Sequence, residues 1–264
     1  MSLLKLTSIN KTESDSKILD DINWEVNIGE NWIVFGPNGS GKSSLLNIAS
    51  MNLHPSKGDV ELLGHLLGKS DLRLLRSRVG FMSKALESRF RTNIKTLEVV
   101  VTGLTGATEP WWDTFTSSDW ERAHELLKLV GCEGKSDQSF GSLSTGEKQR
   151  AMIARTLMPQ PEIFFLDEPT AGLDMGGREE LLTVLANLVN EKTSPPMILV
   201  THHLEEIPSD FSHILLLREG KIIDSGVINE VLTPENILKC FDLKVSINKT
   251  SGRWNIDISE EENE

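Results

Sequence analysis

Gly36-Pro37-Asn38-Gly39-Ser40-Gly41-Lys42-Ser43-Ser44 fits the pattern G-x-x-x-x-G-K-[ST], a set of residue types suited to holding phosphate. Glycines let the backbone curl so that successive N–H groups point inward at phosphate oxygens, and the N-terminus of a following helix adds partial positive charge. In such a loop Lys42 would neutralise the β- and γ-phosphates, and the Ser43 hydroxyl would hold Mg2+. A second segment, Glu162-Ile163-Phe164-Phe165-Leu166-Asp167-Glu168-Pro169, is an apolar run ending in two carboxylates. It reads as a buried strand that delivers acids to the C-terminal edge of a parallel sheet, where α/β proteins bind ligands. Asp167 would order the Mg2+ shell and Glu168 would polarise an attacking water. Alone, the second segment is better read as a core strand that ends in an acidic turn; with the first, it points to nucleotide binding.

The elements that must position these residues follow from periodicity. Asn31–Phe35 reads as a buried strand leading into the loop and Ser44–Ala49 as the helix leaving it. A parallel core would use Ile33–Gly36, Val79–Met82, Ile163–Asp167 and Met197–Thr201, followed by a hairpin of Ile214–Arg218 and Lys221–Ser225 around Glu219-Gly220. Residues 1 to 35 alternate strand-like segments with a polar turn from Asn10 to Lys17, and Trp24 and Trp32 belong to the core. Between about Ser83 and Ser142 the pattern becomes helical, with Thr96–Thr102 and Asp119–Val130 as helices. In the latter, Ala123, Leu126, Leu127 and Val130 share one face and Asp119 is the expected cap. The fold class expected is α/β: a P-loop NTPase core with a mixed sheet, an N-terminal antiparallel β subdomain and an inserted α-helical subdomain.

Three further segments carry a family resemblance. Leu143-Ser144-Thr145-Gly146-Glu147-Lys148-Gln149-Arg150 looks like the signature of the ATP-binding-cassette (ABC) ATPases, usually L-S-G-G-Q. Pro169-Thr170-Ala171-Gly172-Leu173-Asp174 is similar to their D-loop, and Ile198-Leu199-Val200-Thr201-His202 resembles the strand before their switch histidine. The likeness runs from about Leu3 to about Glu230. It implies ATP and Mg2+ as ligands and a mechanism in which two chains sandwich two ATP molecules. Lys42 and Ser43, within the phosphate-binding run Gly36 to Ser44, would act in cis with Asp167, Glu168 and His202. Ser144, Gly146 and Glu147 would act in trans on nucleotide held by the partner, and Asp174 would link the two sites. His202 is preferred to its neighbour His203 as the switch residue.

The same resemblance implies a nucleotide-binding core at residues 1–82 and 143–230, a helical subdomain at 83–142 and a C-terminal extension at 231–264. It implies a second ATPase subunit, a homodimer being the simplest assumption, and a separate transmembrane permease. The chain would then be cytoplasmic and peripheral at the cytoplasmic face of a membrane. Two alternatives stand beside transport: a non-transport cassette ATPase that remodels a soluble complex, as in iron–sulfur assembly, and a regulatory ATP-binding module with weak turnover.

Departures from the family pattern are informative. Thr145 replaces a glycine and Glu147 a glutamine in the signature. The carboxylate would either oppose ATP-driven closure by like-charge repulsion or turn toward Lys148 or solvent, and the second is preferred. The Gln that normally follows the second core strand is Lys84, and no glutamine precedes Gln138, so either Glu87 takes its place or that group is absent. No aromatic residue lies between Asn10 and Asp21, where the family stacks a ring on adenine.

Composition narrows the alternatives. The 264 residues, 38% of them apolar, suffice for one cored α/β domain with an inserted lobe. A net charge of −12, from 27 basic and 39 acidic residues, argues against a nucleic-acid surface. The basic residues Arg73, Arg76, Arg78, Lys84, Arg89, Arg91 and Lys95 read as a solvated face. Cys132 and Cys240 have no metal or disulfide spacing. No stretch approaches the roughly 20 apolar residues of a membrane span, and the N-terminus does not resemble a secretory signal. Pro110-Trp111-Trp112-Asp113 with Phe115 and Trp120 is either a partner-contact patch or packing within the helical lobe. A small capping element is expected from about Ile228, and Glu260–Glu264 is a solvating acidic tail.

Overall fold

The computed structural model describes residues 1–14, 16–69, 71, 75, 77–110, 115–190, 195–250 and 252–258. Arg73, Arg76, Trp111, Trp112, Asp113 and the tail Glu260–Glu264 lie outside the described residues. Contacts divide the chain into one unit of Met1–Ser70 with Pro196–Glu264 and another of Asp71–Pro195.

In the first unit, β1 (Ser2–Glu13), β2 (Ser16–Asn27), β4 (Lys57–Leu62) and β5 (His65–Leu66) form an antiparallel sheet in the order β2-β1-β4-β5. Their side chains alternate between core and solvent, as in a sheet with one dry face. Leu4, Leu6 and Ile9 are buried on β1, and Leu19, Ile22, Trp24 and Val26 on β2. The register slips between Leu6↔Trp24 and Ile9↔Ile22, and Ser8 there has φ of 48° while its N–H donates to Asn23 Oδ1 at 2.8 Å. This bulge returns Ile9 to the core face. The polar run from Asn10 to Lys17 is therefore mostly paired strand rather than turn, since backbone pairing holds residues whose side chains face water.

A second sheet of this unit contains β3 (Trp32–Phe35), β8 (Met197–Thr201), β9 (His213–Arg218) and β10 (Lys221–Val227), in the order β10-β9-β3-β8. Trp32 pairs in parallel with Ile198 on one side and His213 on the other, and β10 returns antiparallel to β9. Every residue of β3 and β8 is buried, the continuous apolar pattern of a strand covered on both faces. Helix α1 (Lys42–Ala49) follows β3. The expected C-terminal element consists of α7 (Ile228–Val231), α8 (Pro234–Phe241) and a hairpin of β11 (Val245–Thr250) with β12 (Arg253–Ile258).

In the second unit, β6 (Val79–Met82) pairs in parallel with β7 (Ile163–Asp167). With them go α2 (Lys84–Glu87), α3 (Thr96–Val101), α4 (Ser117–Leu129), α5 (Thr145–Leu157) and α6 (Met175–Asn190). The helical stretch 83–142 thus shares a unit with β6, β7 and the helix that begins within the signature. Helix α4 begins two residues before Asp119. Thr116 is its cap, accepting from Asp119 N at 3.3 Å, while the Asp119 carboxylate accepts from Thr116 N at 2.8 Å. Asp119 is the third residue of a capping box rather than the cap itself. Phe115 and Trp120 pack edge to face at 5.7 Å between ring centroids.

Candidate functional site

Strand β3 delivers the phosphate-binding run, and its shape is set by what leaves no room for side chains. A Cβ on Gly36 would lie 2.0 Å from Leu217 O, and one on Gly41, which has φ of +102° at the start of α1, would lie 2.8 Å from Ile18 O. The loop is also tied to the turn between β9 and β10, because Gly220 N donates to Ser40 O at 3.0 Å, and the same turn is held to β2 by Asp20 N, which donates to Gly220 O at 2.8 Å. Around Gly39 there is open space, with no atom of the described residues within 4 Å of its Cβ position beyond its chain neighbours.

Two polar side chains inside the loop define its chemistry. Ser40 is 3% exposed and its Oγ has no hydrogen-bond partner among the described residues, an arrangement that costs about 1–3 kcal/mol unless something supplies the bond. Lys42 is 4% exposed, and its ammonium donates to Gly36 O at 2.8 Å and Pro37 O at 2.9 Å. The lysine is folded back onto the loop's own carbonyls. An orphaned hydroxyl and a buried ammonium within one curled backbone fit a phosphate group. Ser43 is exposed and Ser44 half-buried on the first turn of α1. A cavity of about 260 Å³ is lined by residues 37–40 and by Arg218, Cys240 and Phe241. Phe241 packs on Phe35 at 4.9 Å, and the Cys240 thiol donates to Leu217 O at 3.6 Å. Burial pushes that thiol up to about 11.

At the end of β8, Thr201 Oγ1 donates to Glu206 Oε2 at 2.5 Å and accepts from His203 N at 3.1 Å. This fixes the backbone on both sides of His202, which is half-buried. The His202 and His203 rings lie 4.1 Å apart, and His203 Nδ1 is 3.6 Å from Glu205. Glu206, only 5% exposed, escapes the sequence reading: it is the second of two adjacent acids, Glu205 and Glu206, and nothing in the sequence tells the buried one from the exposed one.

In the second unit, four buried residues of β7 lead to half-buried Asp167 and Glu168. Glu168 has φ of 47°, a left-handed conformation that costs a non-glycine residue about 1–3 kcal/mol and concentrates at functional sites. The chain then turns twice, through Ala171 N to Glu168 O and Leu173 N to Thr170 O, both at 3.1 Å. Asp174 Oδ1 accepts from Gly177 N at 2.8 Å at the start of α6.

Ser144 is the cap of α5, and Ser144-Thr145-Gly146-Glu147 is a complete capping box: Glu147 N donates to Ser144 Oγ at 3.2 Å, and Ser144 N donates to Glu147 Oε2 at 2.8 Å. The other carboxylate oxygen lies 2.9 Å from Lys135 Nζ. Glu147 therefore turns to Lys135, not to Lys148 or solvent, and the Lys135 ammonium, followed by the Ser144 N–H, holds its carboxyl below the usual range. The S-x-x-E pattern was available in the sequence as a helix-start signal; the lysine, twelve residues earlier, was not.

Ser83 caps α2, Lys84 is exposed, and half-buried Glu87 accepts from Gln149 Nε2 at 3.2 Å. Burial raises the Glu87 carboxyl, opposed by Lys148 and Lys84. Within the basic cluster, Arg78 pairs with Glu162, Arg91 with Glu109 at 2.8 Å and Lys95 with Asp137 at 2.9 Å, so these cations are locally compensated. No helix among the described residues is long and apolar enough to cross a membrane.

A protein-family profile described as ABC transporter matches residues 19–171. The ABC transporter ATP-binding protein YmeB of Lactococcus lactis is 37% identical over 254 residues, covering 96% of this chain and 98% of its own length. YlmA of Bacillus subtilis, also described as an ABC transporter ATP-binding protein, is 37% identical and covers 97% and 95%. Among solved structures, cbiO1 of Clostridium perfringens, part of the ABC transporter complex cbiONQ, superposes with a TM-score of 0.75 at 27% identity, covering 90% of this chain and 93% of its own. The dimeric cassette MJ0796 bound to ADP and Pi superposes with a TM-score of 0.73 at 26% identity, covering 85% and 98%.

Proposed function

The chain belongs to the ABC transporter family of ATP-hydrolysing cassettes, and from that premise we propose that two copies close on two ATP molecules and thereby drive a separate membrane permease. The observation that carries this reading is the presence, in one chain, of a phosphate loop with an orphaned buried hydroxyl and of a helix terminus capped by an exposed signature serine. The likeness to a dimeric cassette supports the two-chain arrangement.

Residues Gly36 to Ser44 hold the phosphates, the loop N–H groups and Ser40 Oγ giving hydrogen bonds and Lys42 leaving its carbonyl partners to supply charge. Ser43 and Asp167 are the residues that would hold Mg2+, whose charge would offset that of the phosphates. Bound ATP with Mg2+ supplies the phosphoryl group that is transferred to water. Glu168 orients and polarises that water, and His202 reads the γ-phosphate. Ser144, Gly146 and Glu147 of the partner chain complete each site. Little covalent chemistry is asked of the protein, whose contribution is positioning and charge.

Affinity purification from gently solubilised membranes with trapped ATP, followed by mass spectrometry, tests the transport part. A co-purifying polytopic permease is the expected result; recovery of soluble partners alone would move the assignment to a complex-remodelling ATPase.

A further inference from the structure

Glu147 sets a physical problem: the signature turn has to receive a triphosphate, yet it carries a carboxylate one turn from Ser144. The structure answers it with Lys135. This lysine closes the 3-10 turn Glu133–Lys135 after α4, and its ammonium lies 2.9 Å from Glu147 Oε1, while Oε2 accepts from Ser144 N at 2.8 Å. Both oxygens are thus engaged on the side of the helix terminus. The neighbouring cation, Arg150, is committed to Glu180 at 2.6 Å. Ser144 Oγ accepts from Glu147 N, which occupies a lone pair and leaves the hydroxyl proton to be given to an acceptor.

We propose that Lys135 is a positioning residue for the signature: it neutralises Glu147 and holds its carboxylate back, so that Ser144 presents a proton donor, rather than a negative edge, to the partner's nucleotide. This deepens the two-chain reading above and rests on it. Glutamate at this place then makes closure depend on a charge pair rather than on a neutral amide.

The test uses the Glu168→Gln protein to prevent turnover and follows dimer formation by sedimentation as ATP with Mg2+ is titrated. Lys135→Met should raise the ATP concentration for half-maximal dimerisation about tenfold, the scale of losing one partner of a close charge pair. That rise should shrink in about 0.5 M salt, where exposed charges are screened. Glu147→Gln added to Lys135→Met should restore closure to within about twofold of Glu147→Gln alone, and Lys135→Arg should match the parent, as expected of an electrostatic role. A double variant as impaired as Lys135→Met, or a Lys135→Met protein that closes normally, overturns the proposal. A parent that binds ATP but stays monomeric overturns the two-chain reading as well, and is recognised by that behaviour before any Lys135 variant is made.

Discussion

The carbonyl oxygen of Leu217 stands 2.0 Å from the place a Cβ on Gly36 would occupy, so the first residue of the phosphate loop is pressed against the backbone of β9. Gly36→Ala must push that strand or the loop aside. We expect a loss of about 1–3 kcal/mol in urea denaturation, as for other overpacked sites, with loss of nucleotide binding. Gly39→Ala meets no atom of the described residues within 4 Å beyond its chain neighbours and should cost only the roughly 1–2 kcal/mol of a left-handed residue with a Cβ.

Glu168 combines a proposed catalytic carboxylate with a left-handed backbone. Glu168→Gln should retain ATP binding while turnover falls by about 10²-fold or more, as when a general base is lost. Glu168→Gly should be equally inactive yet about 1 kcal/mol more stable than Glu168→Gln, because glycine relieves the strain. Equal melting temperatures for the two variants would contradict the strain.

Base discrimination should be weak. No ring lies among residues 10–21, and within that segment Lys11 donates its ammonium to His54 O at 3.2 Å. Without the roughly 1–3 kcal/mol of base stacking, GTP should compete with ATP within about tenfold in a displacement titration. A hundredfold preference for ATP would show that another group recognises the base.

Stability should also report on Glu87. Burial raises its carboxyl above the ordinary 4.5, so the folded protein holds that proton to higher pH than the unfolded chain. Stability therefore falls as pH rises from about 4.5 through the raised native value. Glu87→Gln removes this dependence, and its urea midpoint relative to the parent should climb across the same window and then level off. A constant difference between the two proteins from pH 4 to 7 would contradict a half-buried, proton-holding Glu87.

Much of the architecture was legible because several signals agreed. The apolar runs at Trp32–Phe35, Ile163–Leu166 and Met197–Val200 are too short for helices and end at Gly36, Asp167 and Thr201 in turn, and the phosphate loop follows one of them. Local chemistry was harder to read. Asp119 and Thr116 are both cap formers three residues apart, and only the reciprocal bonds of the box decide which one caps. The strand character of Asn10–Glu13 depends on pairing with β2 rather than on its own polarity. The partners of Glu147 and Thr201 depend on turns that bring Lys135 and Glu206 within reach, and neither turn announces itself in spacing.

The most direct measurement of the central claim, a site built from two chains, is ATPase activity in a mixture of Lys42→Ala and Ser144→Ala proteins, each inactive alone. In a mixed dimer one site carries both defects and the other carries none, so the mixture should recover about a quarter of the parental rate for a symmetric pair that exchanges freely. A mixture as inactive as its components, with dimers shown to exchange, would contradict the account.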